Sequence, residues 1–285
     1  MKTIRASLRF LLFILIITLL FMVAGCVPLL ERLKRFGLIP SDIDRNLIVT
    51  AAMKHLFRIL LRGLGLKVNL RDGVQSDWQN SKILVLSNHV SYLDVVILAA
   101  ARPMTFVAKT EVGTWPVLGP LISRMGTIFV ERSDVQDRVR CVHEMRRRLS
   151  QQNICVFPEG TTTPFLKPDL SRWQSGQISA AMGEGIRVVK VAIVYENQKE
   201  ISWIDDMELL PHLWKVLKHP SIRVSVVLKE LDKSRFQSES LRRLSHAICH
   251  EISSDCQFTR GRMQRKLYPA IKKGWVETEV ARSFS

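Results

Sequence analysis

The sequence lacks a paired cysteine motif, although it contains five cysteines. These are Cys26, Cys141, Cys155, Cys249 and Cys256. An odd number without a CxxC pair is typical of reduced thiols rather than a disulfide framework, so we expect a domain that faces the cytosol. The segment "HAICHEISSDC" (246–256) gathers two histidines and two of these cysteines but lacks paired metal-ligand spacing. We therefore interpret it as one side of an amphipathic helix, and we expect no metal site.

Other absences narrow the function further. The sequence contains no internal repeat and no low-complexity linker, so the part that follows the N-terminal apolar run is predicted to be one domain. It also has no zinc-finger spacing, no aromatic ribonucleoprotein motif and no recognisable recognition helix. The positive charge of the chain therefore has little support as a nucleic-acid-binding signal, and we expect no nucleic-acid partner.

That positive charge is nevertheless large. The 285 residues carry a formal net charge of +16, with a pI near 10.1. Such a charge favours an anionic partner, and an anionic membrane surface or a phosphorylated substrate fits as well as nucleic acid. The apolar content of 47% is sufficient for one sizeable core.

The N-terminus points to a membrane. The run Phe10 to Leu30, "FLLFILIITLLFMVAGCVPLL", is uncharged and long enough to cross or deeply enter a bilayer. Basic residues flank it on both sides: Lys2, Arg5, Arg9, Arg32, Lys34 and Arg35. Because both flanks are positive, the positive-inside rule gives no orientation, and a re-entrant segment is an alternative to a span. A second alternative is a bacterial lipoprotein signal, since "VAGC" at Val23 to Cys26 resembles a cleavage site before Cys26.

The rest of the chain predicts an α/β fold. We divide the whole chain into an anchor at 1–40, an amphipathic linker helix at 41–66, a catalytic domain at 67–260 and a basic tail at 261–285. The linker helix could lie on the membrane surface or pack on the sheet. In the domain, short apolar runs alternate with helical stretches, which is typical of a mainly parallel mixed sheet flanked by helices.

The predicted elements of the domain follow these patterns. Strands are expected near Lys67–Leu70, Ile83–Leu86, Thr105–Ala108, Thr127–Val130, Ile154–Phe157, Val188–Tyr195 and Arg223–Leu228. Helices are expected at Val95–Ala101, Val135–Gln151, Gln174–Gly183, Pro211–Leu217 and Ser238–Ser254.

One short stretch carries the clearest chemical signal. In "SNHVSYLD", His89 follows a predicted strand and Asp94 lies at the third position of a helix that Ser91 opens. Strand, turn and first helical turn can bring the two side chains together, which they could not do on one helix. An aspartate in contact with an imidazole fixes its tautomer and stabilises the imidazolium, as in the base half of a catalytic triad. Alternatively, Ser91 and Asp94 form a capping box and no more.

Further polar groups lie at the ends of other strands. "VFPEGTTTP" presents Glu159 on a tight turn that contains Gly160, suited to a polar head group or a basic side chain; a solvated loop glutamate is the alternative. Arg132 leaves a strand in "GTIFVERSD" and can offer several donors to phosphate, and Lys109 ends another strand. Strand ends are where open α/β sheets bind ligands.

A nucleophile that would accompany His89 is missing. The sequence has no GxSxG elbow and no paired reactive cysteine. The attacking hydroxyl could then belong to the substrate, which suggests direct acyl transfer to an alcohol without an acyl-enzyme.

Three ordered blocks together resemble a known family. "NHVSYLD", "GTIFVER" and "FPEGTTT" are similar, in order and interval, to motifs of the glycerolipid acyltransferases, over roughly residues 67–230. The resemblance implies transfer of a fatty acyl group from acyl-CoA or acyl carrier protein to a lysophospholipid hydroxyl, without metal or cofactor. It implies His89 as general base with Asp94 as its partner. The residues that it implies for acceptor binding are Lys109, Arg132, Glu159, Gly160 and Thr161.

The acceptor stays open at this stage. Where family members often have a basic residue and a strand proline, this sequence has Gln174 in "WQSG" and Lys190 in "VVKVAI". 1-Acyl-sn-glycerol-3-phosphate is the expected acceptor, with lyso-ornithine lipid, lysophosphatidylcholine and lysophosphatidylethanolamine as alternatives. A non-catalytic protein that binds anionic lipid is the alternative from another class. The expected location is a membrane, with the catalytic domain facing the cytoplasm, at the inner membrane if the source is bacterial.

Overall fold

The computed structural model describes residues 2–36, 38, 45–74, 78, 82–163, 173, 175–182, 185–204, 207–232 and 241–273. Within them, seven strands form one sheet with hydrophobic core clusters on its two faces. The predicted α/β class, with a mainly parallel mixed sheet and one N-terminal apolar helix, is confirmed. Gln174 lies outside the described residues.

The strands match the predicted ones closely. They are β1 (Leu66–Asp72), β2 (Lys82–Ser87), β3 (Thr105–Lys109), β4 (Ile128–Val130), β5 (Ile154–Val156), β6 (Ile186–Tyr195) and β7 (Ile222–Glu230). Each lies within two residues of its predicted limits. The order across the sheet is β1-β7-β6-β2-β5-β3-β4. β7 runs antiparallel to β6, and every other neighbouring pair is parallel.

The burial of the strands explains their sequences. β2 lies in the interior of the sheet, and all its residues after Lys82 are buried, because helices cover both faces. Such a strand reads as a continuous apolar run, which "ILVL" is. β1 lies at an edge, where its first four residues alternate between buried and exposed. The apolar runs therefore place the strands, and the alternation marks an edge strand.

Ten α-helices complete the described part of the chain. They are α1 (Lys2–Arg35), α2 (Arg45–Gly63), α3 (Leu93–Ala101), α4 (Thr110–Gly113), α5 (Leu118–Arg124), α6 (Val135–Leu149), α7 (Ser175–Ile178), α8 (Gln198–Ile201), α9 (Leu209–Leu217) and α10 (Leu241–Lys273). A 3-10 turn, Ser179–Met182, extends α7. The predicted C-terminal helix was too short, since α10 continues to Lys273 and runs through the proposed division at residue 260. The short helices α4, α5 and α8 have no predicted counterpart.

Helix α1 packs along the domain on one side. Its buried side chains are Ala6, Ile16, Ile17, Leu20 and Ala24, and they share one core cluster with Phe57, Leu60 and Leu61 of α2 and with Leu64, which follows α2. At Gly63 of α2 a Cβ atom would overlap Leu12, so glycine permits the close approach of the two helices. Arg9 donates hydrogen bonds to the carbonyls of Leu217 (3.2 Å) and His219 (2.5 Å), at the end of α9. Both α1 and α2 therefore belong to the packed body of the molecule.

The opposite side of α1 is apolar and uncovered. Its exposed large hydrophobic residues are Ile4, Leu8, Leu11, Ile14, Leu15 and Met22. In the part of the chain that is described, residues 2–26 form the one helical stretch long and apolar enough to cross a bilayer, with a mean hydropathy of 2.6. One face of this helix is thus committed to the protein, and the other is available to lipid.

Candidate active site

The ends of four parallel strands bring the predicted residues to one edge of the sheet. His89 follows β2, Arg132 follows β4, the turn that contains Glu159 follows β5, and Lys109 ends β3. Carboxyl ends of parallel strands share an edge, which is where open α/β sheets bind ligands. The sheet therefore gathers side chains that lie up to 70 residues apart in sequence.

The predicted contact between His89 and Asp94 is present. Nδ1 of His89 lies 2.9 Å from Oδ2 of Asp94. Helix α3 begins at Leu93, after the cap residue Tyr92, so Asp94 is its second residue, whereas the sequence predicted the third position after Ser91. The turn at 88–92 reverses the backbone between the two side chains, which allows a contact that their spacing on one helix forbids.

Asp94 is fully buried, with 0% exposure, and it accepts hydrogen bonds on both oxygens. Oδ2 accepts from the backbone N–H groups of Val90 (2.6 Å) and Ser91 (2.9 Å) in addition to His89. Oδ1 accepts from the hydroxyl of Tyr195 at 2.6 Å. The same carboxylate therefore accepts from the backbone N–H of Ser91, as in a capping box, and also contacts the imidazole of His89. A buried charge with this many donors is stabilised without a cation.

The ring of His89 is held between its partner and an aromatic side chain. Phe157 stacks on the imidazole with ring centroids 3.9 Å apart and an interplanar angle of 15°. Phe106 stacks in turn on Phe157, at 6.3 Å. The side chain of His89 keeps 16% exposure. The ring is therefore fixed in orientation but still open to a ligand.

The turn after β5 packs directly against His89. The N–H of Thr163 donates to the carbonyl oxygen of His89 at 2.8 Å. The hydroxyl of Thr163 donates to Oε2 of Glu159 at 2.9 Å, and Glu159 is only 3% exposed. A solvated loop glutamate is therefore excluded. The buried Glu159 carboxylate instead stabilises the turn through its hydrogen bond with Thr163.

Arg132 is clamped to the same turn. Its Nη1 donates to the carbonyl oxygen of Gly160, which has a φ of +72°. A Cβ atom at Gly160 would lie 2.6 Å from that nitrogen, so glycine is required both by the backbone and by the arginine. Burial lowers the pKa of the Arg132 guanidinium, and the Glu111 carboxylate opposes that shift. The Nε–H of Arg132 is buried and has no hydrogen-bond partner within the described residues.

Lys109 and Thr161 lie at the same edge without a tight contact. Lys109 is in register with Val130, two residues before Arg132, so both basic side chains start from neighbouring strands. Thr161 is partly exposed on the turn. Within the described residues, no hydrogen bond or ion pair joins Lys109 to another predicted site residue. The structure thus unites His89 with Asp94, and Arg132 with Gly160, but leaves Lys109 separate.

The departure at Lys190 has a structural explanation. Lys190 is nearly buried on β6, and its Nζ lies 2.5 Å from Glu251 and 3.1 Å from Asp255, both on α10. Lys229 of β7 also pairs with Asp255. This cluster ties the sheet to α10. It gives Lys190 partners outside the candidate site.

The C-terminal histidines and cysteines lie on different sides of α10. Cys249 and Cys256 are buried, whereas His246 and His250 are exposed on the other side of α10. No group of potential metal ligands occurs in the described part of the chain. The interpretation of this segment as an amphipathic helix is confirmed.

Sequence reasoning missed Tyr195, Phe157 and Asn88 as parts of this site. Phe157 was treated as the end of a strand, and Tyr195 as the end of another. Asn88 exchanges hydrogen bonds with the backbone of Ile193, at 2.9 and 2.8 Å. Each contact links residues more than 60 positions apart, and no local spacing signals it.

Comparisons with known proteins agree with this geometry. The model of the family described as "Acyltransferase" matches residues 66–194. A lyso-ornithine lipid O-acyltransferase of Pseudomonas aeruginosa is 31% identical over 191 residues, which cover 64% of this chain and 71% of that protein. A 1-acyl-sn-glycerol-3-phosphate acyltransferase of Neisseria meningitidis is 33% identical over 171 residues, or 57% of this chain and 66% of that protein. The chain belongs to the acyltransferase family.

A solved structure shares the fold. The crystal structure of the 1-acyl-sn-glycerophosphate acyltransferase PlsC from Thermotoga maritima has a TM-score of 0.61 and 19% identity, with coverage of 90% of this chain and 98% of that one. At this identity the likeness concerns the fold. The expectation of an acyltransferase is thus confirmed by the sequence relatives, and the non-catalytic alternative is set aside.

Proposed function

We propose that this chain transfers a fatty acyl group from acyl-CoA or acyl carrier protein to the free hydroxyl of a lysophospholipid, with 1-acyl-sn-glycerol-3-phosphate as the acceptor and phosphatidic acid as the product. The observation that supports it most is the 2.9 Å contact of His89 with a fully buried Asp94, beside an arginine with an unpartnered N–H. The residues bearing this arrangement lie inside the matched family region.

The chemistry follows from the tautomer that Asp94 selects. With a proton on Nδ1 that is donated to Asp94, Nε2 of His89 carries the free electron pair. Nε2 takes the proton of the acceptor hydroxyl while that oxygen attacks the thioester carbonyl. The new C–O bond forms, the C–S bond breaks, and the thiolate takes the proton back from the imidazolium. No acyl-enzyme is needed, because the acceptor supplies the nucleophile.

We assign the head group of the acceptor to the part of the site formed by Arg132, Lys109 and the turn after β5. Arg132 and Lys109 supply positive charge for the phosphate, and Arg132 retains donors that the turn does not use. Gly160 and Thr161 form the surface of the turn. The buried Glu159 stabilises the turn by accepting a hydrogen bond from Thr163. A phosphate held here would place the rest of the acceptor next to His89, since the turn packs against that residue.

The apolar face of α1 brings the enzyme to its lipid acceptor. The exposed residues of α1 form a continuous strip, whereas its buried residues from Ala6 to Ala24 are packed on the domain. A helix so attached on one side is better suited to enter one leaflet beside the domain than to cross the bilayer alone. We assign the catalytic domain to the cytoplasmic side, at the inner membrane if the source is bacterial.

Lyso-ornithine lipid is a second candidate acceptor to be tested. Lyso-ornithine lipid O-acyltransferases of Pseudomonas aeruginosa and of Rhizobium meliloti are 31% and 28% identical to this chain. Ornithine carries no phosphate. An enzyme for that acceptor would use Arg132 for a different group.

The deciding experiment is an acyl-transfer assay with the detergent-solubilised full chain. Radiolabelled acyl-CoA and acyl carrier protein are each offered with 1-acyl-sn-glycerol-3-phosphate, lyso-ornithine lipid, lysophosphatidylcholine and lysophosphatidylethanolamine. We expect the highest kcat/KM with 1-acyl-sn-glycerol-3-phosphate. A clear preference for lyso-ornithine lipid would replace the acceptor but keep the reaction. Absence of transfer to all four acceptors would contradict the proposal.

A further inference from the structure

Tyr195, the last residue of β6, donates a hydrogen bond to Asp94. The hydroxyl of Tyr195 lies 2.6 Å from Oδ1 of Asp94, and Tyr195 is only 1% exposed. The other carboxylate oxygen, Oδ2, receives His89 and two backbone N–H groups. The two oxygens thus have separate tasks, and Oδ1 faces Tyr195 while Oδ2 faces the imidazole.

The position of Tyr195 is built into the sheet. β6 lies beside β2, with Val191 in register with Ser87. Asn88 directly follows β2. Its side-chain amide donates to the carbonyl oxygen of Ile193 and accepts from the N–H of Ile193. This pair of bonds ties β6 to the turn that carries His89. Tyr195, two residues beyond Ile193, is thereby fixed over Asp94.

We propose that Tyr195 is a positioning residue for acyl transfer, which acts on His89 through Asp94. Its hydroxyl holds Oδ1 of Asp94, so that the carboxylate cannot rotate away from the imidazole. It also draws charge from the carboxylate, so that the proton on Nδ1 stays with the imidazole when Nε2 takes a second one. This inference rests on the proposed role of His89 as the base.

The neighbourhood keeps Tyr195 a hydrogen-bond donor. Burial, followed by the charge of Asp94, raises the pKa of Tyr195 well above its usual value. Burial likewise raises the pKa of the thiols of Cys155 on β5 and Cys256 on α10, which also sense Asp94. The charge of Glu159, in the turn after β5, also raises the pKa of Cys256. Tyr195 and both thiols are therefore neutral at working pH, and among these groups Asp94 is the carboxylate in contact with His89.

The test is Tyr195→Phe, which removes one oxygen and keeps the ring. A hydrogen bond to a charged group supports an expected drop in kcat of roughly 10- to 100-fold, with little change in the KM for the acceptor. The carboxylate would also become more basic and stabilise the imidazolium more strongly. The acidic limb of the pH profile of kcat should therefore move to higher pH, which a loss of packing alone would not produce.

Two further variants keep the inference open to contradiction. Tyr92→Phe removes a phenol from the same region, but its hydroxyl faces Nδ1 of His212 at 3.2 Å and not Asp94, so kcat should fall less and the acidic limb should move less than in Tyr195→Phe. If Tyr195→Phe does not fold, a fluorinated tyrosine at position 195 preserves size and hydroxyl. This stronger donor should move the acidic limb to lower pH.

The outcomes separate this inference from the proposed reaction. An unchanged kcat and acidic limb in Tyr195→Phe, or an unchanged limb with the fluorinated residue, would overturn the role of Tyr195. If His89→Ala abolishes turnover at the same time, only the role of Tyr195 fails. If His89→Ala retains turnover, the proposed reaction mechanism fails first.

Discussion

The two halves of the candidate site differ in how completely their polar groups are paired. Around Asp94, four donors converge on one buried carboxylate and leave the ring of His89 a single orientation. Around Arg132, one donor holds the carbonyl of Gly160 while the buried Nε–H keeps no partner in the described structure. A base benefits from being fixed before the substrate arrives, whereas a binding group needs donors to spare. The difference predicts that changes near Asp94 reduce kcat and changes near Arg132 raise KM.

His89→Ala should have the largest effect. Removal of a general base reduces the rate by roughly 10²–10⁴. We expect such a loss of kcat in the acyl-transfer assay, with a near-normal melting temperature, because the turn keeps its backbone contacts. His219→Ala is a matched control, since His219 has the same 16% side-chain exposure and pairs with Glu200 instead. Equal activity losses in both variants would contradict the assignment of the base.

Arg132→Ala should affect binding before rate. A charge-assisted hydrogen bond to phosphate contributes about 1.5–3 kcal/mol, so the KM for an anionic acceptor should rise roughly 10- to 100-fold with a smaller change in kcat. Arg140→Ala is the control, because Arg140 is exposed and pairs with Asp137 on the surface. A KM that stays at the wild-type value would remove the phosphate role from Arg132.

Gly160→Ala should have the smallest effect on turnover and a clear one on stability. A φ of +72° is unfavourable for alanine by about 1–2 kcal/mol, and the added Cβ would also push against Arg132. We expect a lower free energy of unfolding in denaturant titrations and a raised KM. Gly176→Ala is a control on α7, where a Cβ atom meets nothing within 4 Å. Wild-type stability and KM in Gly160→Ala would show that the turn does not need its glycine.

The comparison also shows why part of the site was predictable. His89 and Asp94 lie five positions apart at a strand end, so the local sequence already required a turn between them. Apolar runs placed the interior strands, which are buried on both faces, and alternation placed the edge strand β1. The fold class and the candidate catalytic pair therefore depend on patterns that span fewer than ten residues.

Long-range contacts account for what was missed. Tyr195 meets Asp94 across 101 positions, and Phe157 meets His89 across 68. Lys190 looked like a departure from the family, because its partners Glu251 and Asp255 lie some 60 residues away. The length of α10 was underestimated because its apolar periodicity weakens after Ser254, although Thr259 and Met263 still pack against the domain. These partners come into contact only when the chain folds, so no local sequence pattern indicates them.

The docking of α1 bears on how this chain could be processed. Proteolysis before Cys26 would remove the buried residues of α1 from Ala6 to Ala24, together with Arg9, which binds the end of α9. Leu60, Leu61 and Leu64 would then face water, and the mature fragment would lose part of its hydrophobic interior. Residues 2–26 therefore cover part of this core cluster, and cleavage before Cys26 would uncover it.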